Sequence, residues 1–182
     1  MRKVTCFGLV TVLLLMLGLS GPASAELVAY YDFETGSGTI ANDTSGFGNA
    51  ADGIFVGSGI SWIPGKVGNY AVNVDGTSLI NCGKDSKFDI TGQISIAAWI
   101  KATSDMHVFG MLVSKGNGAG WRVCQYVNGV RMFWGVNGDN ANLVGTIPAL
   151  DGTWHHVAVT YDDPNNVSRM YVDGVKAAEA TF

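Results

Sequence analysis

A chain with 15 acidic residues against 11 basic ones invites a search for carboxylate chemistry first. Glycoside hydrolysis needs two carboxyl groups flanking the scissile bond, about 5–5.5 Å apart for retention and wider for inversion. Glutamate occurs only at Glu26, Glu34 and Glu179, and no run of alternating acids sets two carboxylates on one strand face. The other acids are aspartates, mostly beside glycine or asparagine, where they suit turns. No G-x-S-x-G elbow is present, and His155 and His156 are neighbours on a strand-like run, so their side chains point to opposite faces. No catalytic residue is assigned, and the chain is read as non-enzymatic, with catalysis left to any further domain of a larger protein. The aspartates suit cation binding better. Hard Ca²⁺ takes six to eight oxygens, and the glycine-rich stretch from Asp43 to Asp52 offers them. Asp32, Asp43, Asn49 and Asp52 are the candidate ligands of a calcium site. The alternative is that Asp43 and Asn49 simply form Asx-turns that order the loop.

Tryptophan is the second source of chemistry, because a flat ring can stack on the apolar face of a sugar. Of the five tryptophans, Trp99, Trp121 and Trp134 are the candidate ligand-binding platforms. Trp121 and Trp134 lie in or near loop-like stretches. Trp154 sits in a strongly patterned strand and is read as packing. Core or rim burial is the alternative for each, since an aromatic side chain buries a large area.

These residues must be positioned by strands. Glycine is abundant (25) and proline scarce (4), and no stretch after residue 25 has helical periodicity. Strand candidates run over 27–33, 70–75, 78–82, 93–101, 111–115, 122–127 and 130–134, the last two joined at Asn128-Gly129. In the run 93–101, Ile94, Ile96, Ala98 and Ile100 share one face, and Ser95, Ala97, Trp99 and Lys101 the other. That second face is either a concave surface or a second packed layer. The clearest pattern is W154-HHVAVTYD followed by M170-YVDGV, with Val157, Val159, Tyr161, Met170 and Val172 on apolar faces. Asp173-Gly174 suits a two-residue hairpin turn, because both positions tolerate positive φ. Many short strands with glycine-rich turns predict an all-β, antiparallel sandwich.

The phrase WHHVAVTYD…RMYVDGV resembles the signature hairpin of laminin G-like jelly-roll domains, within the concanavalin A-like lectin/glucanase superfamily. Y31-DFETGSGTIANDTSGFGNAADG, G65-KVGNYAVNVDG and F88-DITGQISIAAWIKA resemble further phrases of the same family in the same order. The resemblance implies a concanavalin-like jelly roll, and a domain that recognises rather than catalyses. It also implies strands beyond Phe182, so the chain is expected to lack the family's last strands at its C-terminus. Resembling domains often hold calcium at sandwich rims.

The N-terminus reads as an address. Arg2 and Lys3 precede an apolar stretch from Leu9 to Leu19, and Ala23-Ser24-Ala25 is a small-residue cleavage site. The stretch is short for a membrane span of ~20 apolar residues. Residues 1–25 are therefore read as a secretory signal and 26–182 as one laminin G-like domain, secreted or at the cell surface. The signal holds two of the 11 basic residues and none of the 15 acids. The remainder is thus mildly acidic without a basic cluster, which argues against nucleic acid as a partner and against membrane once the signal is cleaved. Export permits oxidation, and Cys82 and Cys124 are the two cysteines left. A bridge between them would close a loop of about 40 residues, worth about 4 kcal/mol on chain-entropy grounds. Two buried thiols on strands that never meet is the alternative. The expected partner is a glycan or an extracellular protein. Carbohydrate recognition leads, followed by protein adhesion or a structural spacer, or an accessory domain of a glycoside hydrolase.

Overall fold

The computed structural model describes residues 25–48, 50–104, 110–116, 120–126, 131–135 and 142–182. Residues 1–24 of the expected signal, Asn49 and the Asn128-Gly129 turn lie outside the described residues. In chain order the strands are β1 (Ile40–Ala41), β2 (Gly53–Val56), β3 (Ile60–Pro64), β4 (Tyr70–Val74), β5 (Leu79–Asn81), β6 (Ile94–Thr103), β7 (Met111–Lys115), β8 (Trp121–Gln125), β9 (Met132–Gly135), β10 (Leu143–Val144), β11 (Asp151–Asp162), β12 (Val167–Val172) and β13 (Val175–Thr181). Single 3-10 turns occur at Ser86–Phe88 and Asp163–Asn165, and there is no α-helix among the described residues. Two four-stranded sheets, β13-β12-β11-β6 and β10-β9-β8-β7, stand beside a three-stranded sheet β1-β2-β5 and the β3–β4 hairpin. Every described pairing is antiparallel. The architecture is an antiparallel jelly-roll β-sandwich.

The core lies between the two four-stranded sheets because the period-two pattern leaves one face of each strand apolar. From β11, Val157, Val159 and Tyr161 point inward. Opposite them on β6 stand Ala98, Ile96 and Ile94, in that order, and from β12 come Met170 and Val172. The other sheet contributes Val123, Trp134 and Leu143, and the segment before β11 adds Ala149 and Leu150. Burying each large apolar side chain contributes about 1.5–3 kcal/mol. The β12–β13 hairpin closes through Asp173 (φ 50°) and Gly174 (φ 78°), the double positive-φ turn that the sequence pattern requires. β8 and β9 pair as the patterning around Asn128-Gly129 implies, with Val123 opposite Trp134.

Two expectations fail. The segment Leu27–Phe33 is not a strand. Its backbone is fastened by the loop it faces: Tyr30 N–H donates to Asp43 Oδ1 at 3.1 Å, Thr44 N–H donates to Tyr30 O at 2.9 Å, and Phe33 has φ 59°. Cys82 and Cys124 are not joined. Cys82 follows β5 in the three-stranded sheet, beside the Tyr31 hydroxyl, whereas Cys124 is wholly buried on β8. Burial pushes the Cys82 thiol up, out of the reactive range.

Candidate functional site

The outer face of the β13-β12-β11-β6 sheet carries an accessible arrangement of recognition-type side chains. Strand alternation that drives Ile96 and Val159 inward drives Trp99, Ala97 and Ser95 outward on β6, and His156, Ala158 and Thr160 outward on β11. The register sets Trp99 opposite His156, Ala97 opposite Ala158, and Ser95 opposite Thr160. On β12, Tyr171 stands opposite Ala158 and Arg169 opposite Thr160. Two alanine methyls thus form a low floor bordered by the rings of Trp99, His156 and Tyr171. Trp99 is 41% exposed, far more than a core tryptophan. The His156 ring meets it edge-on with centroids 5.4 Å apart, and Lys66 Nζ, from the turn between β3 and β4, lies 5.5 Å from its centroid. Farther along, Arg169 Nε donates to Glu179 Oε2 at 2.6 Å, and Gln93 Nε2 donates to Asp162 Oδ1 at 2.9 Å.

The structure does not bring the three predicted tryptophans together. Trp134 is fully buried in the core and presents no face to a ligand. This corrects its assignment as a platform: Trp134 pairs with Val123, so it shares that strand's inward face. Trp121, also on the inward side of β8, packs against the same core. The indole N–H groups of both are buried without an acceptor among the described residues. Trp62 leans on Phe55, centroids 5.6 Å apart, and donates Nε1–H to Gly38 O at 2.9 Å.

The acidic loop is organised as a hydrogen-bonded knot. Asp43 accepts backbone N–H groups from Tyr30, Ser45 and Ala51, each at 3.1 Å, and Lys87 Nζ donates to its Oδ2 at 2.5 Å. Asp52 Oδ1 accepts from Asp43 N–H at 2.8 Å, while Asp32 Oδ1 accepts from Glu34 N–H at 3.0 Å. The side chains of Lys87 and Asp43 are 5% and 0% exposed. Burial alone would raise the Asp43 carboxyl, but the Lys87 ammonium and the three backbone donors outweigh it and hold it far below the usual range. Arranged this way, the acids do not fit a calcium ion. The Asp43 carboxylate already meets a cation and three N–H donors, Asp32 faces its own turn, and among the described residues no three such side chains cluster for a metal. Asp43 makes an Asx-turn, its Oδ1 accepting Ser45 N–H, while Asn49 lies outside the described residues.

A family model for the concanavalin A-like lectin/glucanases superfamily, the laminin G-like branch, matches residues 74–182. The chain belongs to this superfamily. Solved structures extend the likeness in fold over most of the chain. Domain 4 of AbnA, an extracellular arabinanase of family GH43 from Geobacillus stearothermophilus solved in complex with arabinotriose, matches at 18% identity and TM-score 0.56. That match covers 86% of this chain and 75% of the arabinanase domain. Botulinum neurotoxin type C, whose cell entry depends on interaction with two ganglioside molecules, matches at 14% identity and TM-score 0.55. It covers 78% of this chain and 36% of the toxin chain. At these identities the likeness is one of fold. No curated protein sequence matches the chain.

The signature hairpin of this laminin G-like chain holds a second polar cluster at the sandwich rim. His155 Nδ1 lies 2.7 Å from Asp173 Oδ2, and Nε2 lies 3.1 Å from Asp151 Oδ1 and 3.0 Å from Thr153 Oγ1. The Asp173 contact, aided by Asp151, raises the His155 imidazole above its ordinary value against a smaller opposing effect of burial. Thr153 and then His155 lower Asp151 to about 2. Asp173 Oδ1 also accepts His156 N–H at 2.9 Å, so the cluster clamps the hairpin turn onto β11. The two histidines do face opposite ways. The glutamates are dispersed: Glu34 accepts N–H groups of Asn69 and Tyr70, and Glu179 meets Arg169 and Lys176. An open depression lined by Asp52, Ile54, Asn81, Cys82 and Lys84 contains no aromatic ring. Sequence reasoning missed Lys66, His156 and Tyr171. The outward parity of His156 and Tyr171 follows from the β11 and β12 patterns, but nothing local ties Lys66 to Trp99.

Proposed function

We propose that this laminin G-like chain is a non-catalytic carbohydrate-recognition module of an exported protein, binding sugar on the outer face of the β13-β12-β11-β6 sheet. The observation that carries this reading is Trp99, a large ring exposed on rigid strand backbone beside an alanine floor. A pyranose or furanose ring laid over Ala97 and Ala158 meets the rings of Trp99 and Tyr171 with its C–H groups. Ser95, Thr160, His156 and Arg169 surround it with donors and acceptors for hydroxyls. Placement on strands holds such a site more precisely than loops would. The arabinotriose in the arabinanase domain and the ganglioside dependence of the toxin support glycan as the ligand class. The pattern of Leu9–Leu19 followed by Ala23-Ser24-Ala25 supports export. The engagement of Glu34 by the Asn69 and Tyr70 amides and of Glu179 by Arg169 and Lys176, rather than by each other, supports a binding rather than a hydrolytic role.

The test is a glycan-array screen of the chain from residue 26, followed by titration of the best ligand against Trp99→Ala. Losing a central aromatic anchor costs about 2 kcal/mol, roughly 30-fold in affinity. Unchanged binding by Trp99→Ala, or a folded domain that binds no glycan, overturns the proposal.

A further inference from the structure

Two lysines border the Trp99 end of the outer face in a chain of net charge −4. Lys66 Nζ stands over the Trp99 ring, and Lys101 lies two residues farther along β6 on the same face. Among the described residues neither lysine is paired with an acid. At the other end charges are matched: Arg169 and Lys176 both meet Glu179, and Asp162 is held by Gln93 and Asn165. Three carboxylates surround this end, Glu34 held by the Asn69 and Tyr70 amides, Asp151 by Thr153 and His155, and Asp173 by His155 and the His156 amide, and none of the three is in contact with either lysine. Among the described residues, then, neither ammonium beside Trp99 is in contact with an anion.

Building on the glycan-binding reading, we infer that this subsite selects acidic sugars, whose carboxylate or sulfate group is received between Lys66 and Lys101 while the ring stacks on Trp99. A neutral sugar laid on the indole must displace the Lys66 ammonium from the ring or take the ring's other face. An acidic sugar keeps the ammonium in place and supplies the anion it lacks, so cation, ring and anion interact together. An exposed charge contact is worth up to about fivefold, so the two lysines give a preference of order tenfold. The attraction is screened over about 8–10 Å at ordinary ionic strength, which makes the preference salt-sensitive.

The experiment titrates the chain from residue 26 with oligomers of galacturonate, glucuronate and mannuronate, each beside its methyl ester, and with dextran sulfate beside dextran. Esterification removes the charge and leaves the ring unchanged. The expected result is about tenfold tighter binding of an acidic member over its neutral counterpart. Lys66→Gln/Lys101→Gln or 0.5 M salt abolishes that preference, while weak neutral binding persists. The uronate and sulfate arms distinguish which anion fits. Equal binding of charged and neutral members, or binding of neutral glycans alone, overturns this inference and leaves the glycan reading intact. An acidic preference that survives the double lysine substitution overturns the assignment to Lys66 and Lys101. Absence of binding to any glycan overturns both readings.

Discussion

Replacing Lys87 by methionine tests whether a buried ion pair holds the 43–52 loop. The lysine and aspartate side chains are 5% and 0% exposed, and the Nζ–Oδ2 distance is 2.5 Å. Methionine keeps most of the length and apolar stem while deleting the charge, so Asp43 is left buried with only its three backbone donors. Removing one partner of a buried pair costs about 3–5 kcal/mol. The three N–H groups still solvate the carboxylate, which sets the expectation at the lower end, about 3 kcal/mol. For a domain of this size that lowers Tm by about 6–12 °C. Asp43→Asn in the same background should restore part of the loss, because neither charge is then stranded, and the two substitutions should couple by at least about 1 kcal/mol. The pH dependence has a defined sign. The Asp43 carboxyl is depressed in the folded protein, so its contribution is present above the unfolded value near 3.8 and disappears as pH falls through the folded value. Without Lys87 the folded value rises, and acid destabilisation should begin at higher pH. Urea denaturation of the four proteins at pH 7 and pH 4 measures all of this. A cost below about 1 kcal/mol for Lys87→Met, or strict additivity of the pair, would refute the argument.

Trp134→Ala should cost about 3–5 kcal/mol, since a fully buried indole is replaced by a cavity. Trp99→Ala, on the surface, should leave stability within about 0.5 kcal/mol, and comparing their urea midpoints checks the inward and outward assignments together. His155 is raised in the folded state, so its contribution is fully present below pH 6.5 and should fade as pH rises through the higher folded value. His155→Asn should flatten that alkaline decline while leaving the midpoint at pH 9 close to wild type. Intact mass after alkylation of the unreduced, denatured protein should show both Cys82 and Cys124 modified. A pair resistant until reduction would contradict the separation of their strands.

The elements that the sequence made legible are those whose information is local. The β6 alternation, the β11 pattern and the Asp173-Gly174 turn each fall within a dozen residues, where period and turn chemistry act directly. The run Leu27–Phe33 misleads because its apolar content suits a strand, while its backbone partner is the Asp43 side chain, thirteen residues from Tyr30. Trp134 looked exposed because its neighbours resemble a loop; pairing it with Val123 would have revealed its inward parity. The Lys66–Trp99 and Lys87–Asp43 contacts join residues far apart in sequence that no spacing rule connects. For the same reason Cys82 and Cys124 could be counted but not placed. Trp99 was put on the correct face by parity alone, while the floor beside it required the β11 and β12 registers.

The Lys87 ammonium, reaching the acidic loop from the Ser86–Phe88 turn, has a consequence for how that loop is held. A dissociable ion stabilises a fold by an amount that grows with the logarithm of its free concentration, so such a domain loosens whenever its surroundings run short of the ion. An ammonium on the chain's own side chain has no such dependence: it is made with the protein, at fixed stoichiometry, and cannot be chelated, exchanged or diluted away. Through Asp43 it ties the segment around Tyr30 to the turn at Ser86–Phe88. That tie is therefore set at synthesis, and its own strength does not follow the free concentration of any dissociable ion.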